Sequence, residues 1–288
     1  MMRVGLELGR LKSDFVRDGF VAVQGLINPD ELAGYAAAVD AAVAVRKARD
    51  TRSLQEKSRY EQSFLQCQYI WEDFPDVRPL TFHPAVCAVA ALLVGSDRLR
   101  LWHDQALYKE PGGASTQAHQ DHPYWPIAEY RTVTAWIPFV EANNSTGGMG
   151  YVPGSHRQDA RFVDIFSGTD GDDDLAADAC FVPASPGDVI FHHGLTMHMA
   201  MGNASAMMRR VYTAIYFADG CTRSTDGKHH PSVDRSGIPP GAVIDGGATP
   251  LAWPLGSGVY PDPAPWPQID DARVRRVADL GIIPAPRA

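Results

Sequence analysis

The chain has 288 residues, of which 45% are hydrophobic and 21% are charged, and its formal net charge at pH 7 is −8. This composition supplies enough apolar material for a folded core and excludes an intrinsically disordered chain. The acidic balance argues against a nucleic-acid or anionic-membrane binder, because either partner needs a basic surface. The N-terminal stretch has no apolar signal core and no run of about 18 apolar residues occurs, so we expect a cytoplasmic protein.

Helical signals dominate the first third of the chain, to about residue 97. An alternating, valine-rich stretch at 19–26 predicts one short strand within it. Asn28 then supplies a helix N-cap and Pro29 takes the first helical position, so a helix of about four or five turns should follow. The apolar segment at 83–95 predicts another helix that ends at Gly95.

From about residue 98 to 218, short β-prone segments alternate with glycine, proline and asparagine. Strands at this spacing, with no helical period between them, favour an antiparallel sandwich or barrel over a parallel α/β sheet. We therefore predict a mainly β protein with flanking helices, whose core is a double-stranded β-helix, that is, a cupin-like jelly roll. The predicted strands lie at 99–109, 116–125, 132–140, 148–156, 188–193 and 210–217.

The remaining part of the chain, about 219–288, is rich in glycine and proline. It predicts irregular structure wrapped over the core, with one short helix near 270–281. No repeat or linker is evident, so residues 1–288 are expected to form a single domain. The acidic run at 170–174 resembles the opening of a calcium-binding loop, but it lacks the later glycine and glutamate that such a loop needs, which favours a solvated loop.

The stretch QAHQDHPYWP at 117–126 concentrates imidazole, carboxylate and aromatic side chains. If it is a strand, residues two apart share a face, so His119 and Asp121 lie side by side and His122 points the other way. One imidazole and one carboxylate are half of a metal site, and this donor set favours Fe(II), Mn(II) or Zn(II). A hydrogen-bonded His–Asp pair without a metal is the alternative, unless another strand completes the site.

A completing ligand is available downstream, and spacing alone does not choose among three candidates, which are His192, His193 and His198. Arg209 and Arg210 follow at the start of a strongly β-prone run that should be interior. A buried arginine is costly unless it meets an anion, which predicts a bound carboxylate or phosphate. Iron held by two histidines and one carboxylate keeps open positions that suit a bidentate 2-oxo acid and dioxygen.

Three segments carry an ordered set of motifs, namely HQDHPYWP at 119–126, VTAWIPFVEANNSTGGMGYVPGSH at 133–156 and PGDVIFHHGLTMHMAMGNASAMMRR at 186–210. Together they resemble the successive motifs of the phytanoyl-CoA dioxygenase family of Fe(II)/2-oxoglutarate-dependent oxygenases. The opening FVRDGFVAVQGLINPDEL at 15–32 is similar to the N-terminus of that family. The resemblance covers most of residues 14–218, and it is specific because several motifs agree in order.

The resemblance implies roles for individual residues. The distal metal ligand of the family precedes the oxoglutarate-binding arginine by eleven residues, a spacing that fits His198 and Arg209. Trp136 matches a family position that contacts the cosubstrate, and Gln105 matches another more loosely. Relatives often carry a serine two residues after the distal histidine to help bind oxoglutarate. This chain has Ala200 there, so Arg209 must find another partner.

On this resemblance, His119, Asp121 and His198 bind Fe(II), and 2-oxoglutarate and O2 are cosubstrates. The expected reaction is hydroxylation, or a related oxidation, of an unactivated C–H bond in a small organic molecule such as a natural-product intermediate, with release of succinate and CO2. The chemistry is centred on the metal, so no protein acid, base or nucleophile is required. The alternative is a cupin-like metal-binding protein without oxoglutarate chemistry, which would have no use for an interior Arg209.

Other side chains near these motifs have ordinary expected roles. Lys109 and Arg131 are predicted to be charges at the rim of the core. Tyr124 and Trp125 either fill the barrel or wall the substrate pocket. His156 is expected to be structural rather than a metal ligand.

Overall fold

The computed structural model describes residues 2–166, 177–256, 259–266 and 272–284. Its helices are α1 (Met2–Asp18), α2 (Pro29–Lys47), α3 (Arg59–Ser63), α4 (Ile70–Asp73), α5 (Arg78–Thr81), α6 (Pro84–Val94), α7 (Pro231–Asp234) and α8 (Ala272–Asp279). Its strands are β1 (Phe20–Val23), β2 (Leu65–Gln68), β3 (Leu99–Tyr108), β4 (Thr116–His119), β5 (Thr132–Pro138), β6 (Met149–Tyr151), β7 (Cys180–Val182), β8 (Val189–His193), β9 (His198–Ala200), β10 (Val211–Ala218) and β11 (Leu251–Trp253). The acidic run at 170–174 lies outside the described residues.

Two antiparallel sheets form the β core. The major sheet has the order β1-β8-β5-β10-β3-β11, and β2 pairs with the other end of the same β3 edge. The minor sheet has the order β4-β9-β6-β7. A cavity lined by residues of both sheets lies between them. The curled antiparallel sheets with flanking helices confirm the predicted double-stranded β-helix.

The central strands of the major sheet, β5 and β10, are buried on both faces. On the outer face, Val133, Ala135 and Ile137 of β5 join one large core cluster with apolar side chains of α2 and α6. On the inner face, Thr134 and Trp136 have the opposite parity and line the cavity. The major sheet therefore separates the main apolar core from the cavity.

A β-bulge in β3 shapes one end of this inner face. Ile215 of β10 pairs with His103, whereas the next residue, Tyr216, pairs with Leu101, so Trp102 is the extra residue in β3. The bulge lets Leu101 join the outer core while His103 stays at the cavity and Trp102 packs with Ile215.

The predicted helices begin and end where their sequence signals place them. The Asn28 side-chain oxygen accepts a hydrogen bond of 2.9 Å from the Asp30 amide at the start of α2. Helix α6 ends at Gly95, which has φ of 65°, a left-handed conformation that glycine adopts without strain. The short C-terminal helix is confirmed as α8, within the predicted 270–281.

The predicted strand at 116–125 is wrong over its second half. Strand β4 ends at His119, Asp121 has helical backbone angles of −74° and −44°, and a 3-10 turn covers His122–Tyr124. Pro123 explains the change, because proline lacks an amide hydrogen for a strand ladder and its fixed φ suits the first turn of a helix. A tight turn, rather than strand parity, thus brings Asp121 to the same cavity as His119.

No single helix within the described ranges is long and apolar enough to cross a membrane. One pair of helical segments, Pro75–Thr81 and Pro84–Val94, meets that length and composition together, but it is bent by 43°.

A buried ion pair links Arg235, in the C-terminal part of the chain, to Glu72 of α4. The two oxygens of Glu72 each accept a hydrogen bond of 2.9 Å from Arg235, and Trp266 Nε1 donates to the same carboxylate at 2.7 Å. The Arg235 guanidinium lies 3.9 Å from the centroid of the Trp266 ring. Both charged side chains are almost inaccessible to solvent, so each depends on the other for its stability.

We predict that Glu72→Ala lowers the free energy of unfolding by about 3–5 kcal/mol, because it leaves Arg235 buried without a counter-ion. Lys228→Ala is the control, since Lys228 pairs with Asp226 at the surface, where the two side chains are 44% and 41% exposed. Such a pair contributes less than about 1 kcal/mol. Urea unfolding followed by circular dichroism measures both variants, and equal stabilities would contradict the structural role of the buried pair.

Candidate metal centre

Two imidazoles and one carboxylate converge at the minor sheet. His119 ends β4 and His198 begins β9, and the two are direct partners in the ladder with ring centroids 4.3 Å apart. Asp121 Oδ1 lies 3.7 Å from His119 Nε2 and 3.6 Å from His198 Nε2. One ligand atom of each residue lies within 4.8 Å of the others, so a single metal ion can contact all three.

Hydrogen bonds to the backbone orient both imidazoles. His119 Nδ1 lies 2.7 Å from the carbonyl oxygen of Gln117, and His198 Nδ1 lies 2.9 Å from that of Thr196. A carbonyl can only accept, so each Nδ1 carries the proton and each Nε2 presents a lone pair. Burial lowers the pKa of both histidines to about 4, so both imidazoles are neutral at pH 7.

The two oxygens of the Asp121 carboxylate have different neighbours. Its Oδ2 accepts hydrogen bonds of 3.2 Å from Thr134 Oγ1 and from His192 Nε2. Its Oδ1 is left to face the two imidazoles. Burial opposes ionisation, but the nearby His198 and the hydrogen bond from His192 outweigh it and hold the pKa of Asp121 well below its ordinary value. The carboxylate is therefore ionised at neutral pH.

The donor set fits a non-haem iron ion. Two neutral imidazoles and one carboxylate, with a cavity on their open side, are the ligands of the facial triads that bind Fe(II) and leave positions free for further ligands. Within the described part of the chain, these three residues are the one group of histidine, cysteine and acidic side chains arranged to hold a metal ion.

The cavity next to the triad has a volume of about 240 Å³, and strand register arranges its lining in rows. One row crosses the major sheet through Trp136 of β5, Thr213 of β10 and Gln105 of β3. The next row contains Thr134 and His103, and the triad faces it through the contact between Thr134 and Asp121. Arg209 lies beyond the first row, just before β10 begins.

Arg209 is a buried cation for which the described residues provide no carboxylate partner. It is 2% exposed, and its guanidinium donates to the carbonyl oxygens of Gly147 at 2.9 Å and Leu107 at 3.2 Å. Burial lowers its pKa to about 10, so it keeps its charge at pH 7. Its Nε has no partner, and neither does the buried hydroxyl of Thr213. These free donors around one positive charge fit a bound carboxylate.

The residues that the resemblance assigns to the cosubstrate lie in the same part of the cavity. The Arg209 guanidinium is 5.8 Å from the centroid of the Trp136 ring. Gln105 lines the cavity, and its Oε1 accepts a hydrogen bond of 2.6 Å from Gln66 Nε2. This contact uses the oxygen of Gln105, so its amide NH2 can donate to a ligand.

Ala200 lines the cavity without offering a hydroxyl. Its direct partner across the β4–β9 ladder is Thr116, which also lines the cavity. Thr213 supplies a second hydroxyl on the opposite sheet. Two threonines on different strands are thus available to replace the serine that relatives often carry.

The prediction that Lys109 is a rim charge is wrong. Lys109 is fully buried and pairs through its backbone with Arg209. Gly113 and Gly147 leave room for its side chain, since a Cβ atom at either position would lie 2.8 or 2.9 Å from it. Burial, followed by the proximity of Arg209, lowers the pKa of Lys109 to about 6, so most of the amine is neutral at pH 7.

The other predicted side chains take simple positions. Arg131 is exposed, as expected of a rim charge. Tyr124 and Trp125 both line the cavity. His156 contacts a backbone carbonyl of α1, and His193 contacts a carbonyl just before β5, so neither ring faces the triad.

Much of the cavity wall has no local sequence signal. It is formed by side chains that the sequence motifs do not single out, namely Tyr60, Phe64, Gln66, Gln68, His103, Ile165, Phe166 and His230. Most come from segments outside the motifs, and the pairing of β2 with β3 brings the two glutamines to Gln105.

Comparison with known sequences places these features in a family. The family model for phytanoyl-CoA dioxygenase (PhyH) matches residues 15–211. The ectoine dioxygenase of Streptomyces anulatus is 31% identical over 151 residues, which are 50% of this chain and 49% of that protein. The 1-deoxypentalenic acid 11-beta-hydroxylase of Streptomyces exfoliatus is 28% identical over 153 residues, 46% of this chain and 53% of that protein. The chain therefore spans about half the length of these curated relatives.

Solved structures extend the similarity over more of the chain. The alpha ketoglutarate dependent carbocyclase SnoK from nogalamycin biosynthesis superposes with a TM-score of 0.69 at 26% identity, over 84% of this chain and 95% of that one. The epimerase SnoN, in complex with Fe3+, alpha ketoglutarate and nogalamycin RO, gives 0.68 at 26% identity, over 86% and 99%. Since the family model matches well over half of the sequence, the chain belongs to the phytanoyl-CoA dioxygenase family.

Proposed function

We propose that the protein is a non-haem Fe(II)/2-oxoglutarate-dependent dioxygenase that oxidises a C–H bond of a small organic molecule. The observation that carries the proposal is that His119, Asp121 and His198 share one cavity with an unneutralised Arg209. A metal triad alone suits several kinds of metalloprotein, whereas a buried arginine in the same cavity requires an anionic ligand. The hydroxylase, dioxygenase and alpha ketoglutarate dependent enzymes among its relatives support the same function.

The side chains of the proposed active site bind and orient the metal and the cosubstrate, and none of them has to transfer a proton. His119, Asp121 and His198 would hold the metal, while hydrogen bonds from Thr134 and His192 orient the Asp121 carboxylate. Bound there, Fe(II) with 2-oxoglutarate and O2 supplies the oxidant for a C–H bond, with release of succinate and CO2. The protein contributes preorganised ligands in a partly enclosed cavity.

The cosubstrate would lie between the triad and Arg209. Its distal carboxylate would pair with the guanidinium, and the hydroxyls of Thr116 and Thr213 are the neighbours that can add hydrogen bonds. Trp136 and Gln105 would wall the same space with an apolar ring and an amide donor. In this arrangement the negative charge of 2-oxoglutarate neutralises Arg209.

A cupin-like metal-binding protein without oxoglutarate chemistry is the competing function. It would share the fold and the histidines. It gives no reason to bury Arg209 without a counter-ion, which costs several kcal/mol. The oxygenase function accounts for both the triad and the arginine, so it is the better supported of the two.

Replacement of His119, Asp121 or His198 by alanine should abolish turnover and weaken retention of Fe(II), because two remaining ligands cannot hold the ion tightly. His193→Ala is the matched control, since its ring contacts a backbone carbonyl away from the triad. Iron content after anaerobic gel filtration and succinate formation are the two measurements. Turnover in all three alanine variants, or equal loss of iron in the control, would contradict the assignment of the ligands.

Arg209→Lys should weaken binding of 2-oxoglutarate by about 10- to 100-fold, because lysine keeps the charge but cannot form a forked, two-bond contact with a carboxylate. Binding of Fe(II) should change little. Arg210→Lys is the control, since Arg210 faces away from the cavity and pairs with Asp40 of α2.

Isothermal titration of anaerobic Fe(II)-loaded protein with 2-oxoglutarate measures the parent and both arginine variants. Equal sensitivity of the two positions would mean that Arg209 does not bind the cosubstrate. Absence of binding by the parent protein would favour the cupin-like alternative.

A further inference from the structure

One wall of the cavity has no role in the proposed metal and cosubstrate sites. Strand β3 and the residue before α7 place His103 and His230 there. Their rings are nearly parallel, with an interplanar angle of 22° and centroids 5.8 Å apart. Trp102 stacks on His230 with centroids 4.5 Å apart, and Tyr69 packs on His103 at 5.3 Å. Packing therefore holds both imidazoles in place.

The hydrogen bonds of His230 make its Nε2 a donor. His230 is the N-cap of α7, and its Nδ1 accepts the Ser232 amide hydrogen at 3.2 Å. An accepting Nδ1 carries no proton, so the proton of the neutral ring is on Nε2. Burial lowers the pKa of His230 well below its ordinary value, so the ring is neutral at pH 7.

His103 has the opposite arrangement. Its Nδ1 lies 3.4 Å from the carbonyl oxygen of Asp104, which can only accept a hydrogen bond. The proton is therefore on Nδ1, and Nε2 is an acceptor. Burial lowers the pKa of His103 to about 4, so this ring is neutral as well. Neither Nε2 has a hydrogen-bond partner within the described residues, which leaves one donor and one acceptor for a ligand.

Apart from the residues of the proposed metal and cosubstrate sites, the cavity lining is uncharged. It includes aromatic side chains and an amide, namely Tyr60, Phe64, Trp125, Phe166 and Gln68. Among the described lining residues, Asp121 and Arg209 are the charged ones, and the proposed function assigns them to the metal and the cosubstrate. A charged group on a ligand would lose its water here without gaining a counter-ion, whereas a flat neutral ring would bury apolar surface against the aromatic side chains.

We propose that this wall selects an uncharged, ring-containing substrate that carries a hydrogen-bond acceptor for His230 next to a donor for His103, as a lactam does. The term substrate rests on the proposed function, while the binding itself requires only the cavity. The same chemistry rejects phosphorylated or carboxylated molecules of similar size, because nothing on this wall neutralises them.

Three probes of one shape test the proposal. These are 2-quinolinone, which has the adjacent carbonyl and N–H groups, N-methyl-2-quinolinone, which lacks the donor, and 2-quinolinone-4-carboxylate, which adds a charge. Calorimetric titration into anaerobic Fe(II)-loaded protein, with and without 2-oxoglutarate, measures each one. We expect 2-quinolinone to bind about fivefold more tightly than its N-methyl form, and at least about tenfold more tightly than the carboxylate.

Variants assign the two hydrogen bonds separately. His103→Phe keeps an aromatic ring but removes the acceptor, so the preference for 2-quinolinone over its N-methyl form should fall below about twofold. His230→Asn keeps a side chain that can cap α7 but removes the imidazole donor. It should weaken the binding of 2-quinolinone and of its N-methyl form equally, because both carry the carbonyl. His229→Asn is the control, because the His229 side chain is 88% exposed, and it should behave as the parent protein.

The outcomes separate this proposal from the function on which it rests. Binding of 2-oxoglutarate by each variant reports that the cavity is intact. Equal binding of the carboxylate and 2-quinolinone, absence of binding by every probe, or an unchanged N-methyl preference in His103→Phe would overturn the assignment of this wall. A parent protein that binds 2-quinolinone but not 2-oxoglutarate would support the wall chemistry and contradict the oxygenase function instead.

Discussion

The carboxylate of Asp121 connects the two sheets, and the convergence of the candidate ligands depends on that connection. Its Oδ2 contacts Thr134 in β5 and His192 in β8, both in the major sheet. Its Oδ1 faces His119 and His198 in the minor sheet. A buried ion is stable only when such partners are in place, so the spacing between the sheets and the position of the carboxylate are coupled. The protein itself therefore fixes the triad geometry.

Strand register also gives the cavity a charged end and a neutral end. Inward-facing residues on adjacent strands form rows, with Arg209 at one end, Trp136 and Gln105 in the next row, and the triad beside the row that contains His103. Positive charge and free donors suit an anionic cosubstrate at the arginine end. The neutral histidines and aromatic rings suit an uncharged molecule beyond the triad. In the proposed function, one cavity thus holds two chemically different ligands next to a single metal centre.

Local patterns predict the fold class, the capped helices and the long strands, because caps, glycines and strand spacing act over a few residues. They do not predict the short strands β2, β7, β9 and β11. The sequence also predicts that His119 and Asp121 lie close together, although a turn at Pro123, not strand parity, brings them together. The choice of His198 needed the family resemblance, since β9 is three residues long and has no periodicity to read. Burial of Lys109 and the far wall of the cavity could not be predicted. They depend on glycines and side chains brought together from distant segments by strand pairing.

The most direct test of the account is to locate the metal itself. Crystals grown anaerobically with Mn(II) or Fe(II) and measured at the absorption edge of that metal would show its position by anomalous scattering. We predict a peak within about 2.0–2.3 Å of His119 Nε2, His198 Nε2 and Asp121 Oδ1, with the hydrogen bond from His192 Nε2 to Asp121 Oδ2 retained. A peak ligated by His192 or His122 in place of one of these residues, or no peak in the cavity, would contradict it.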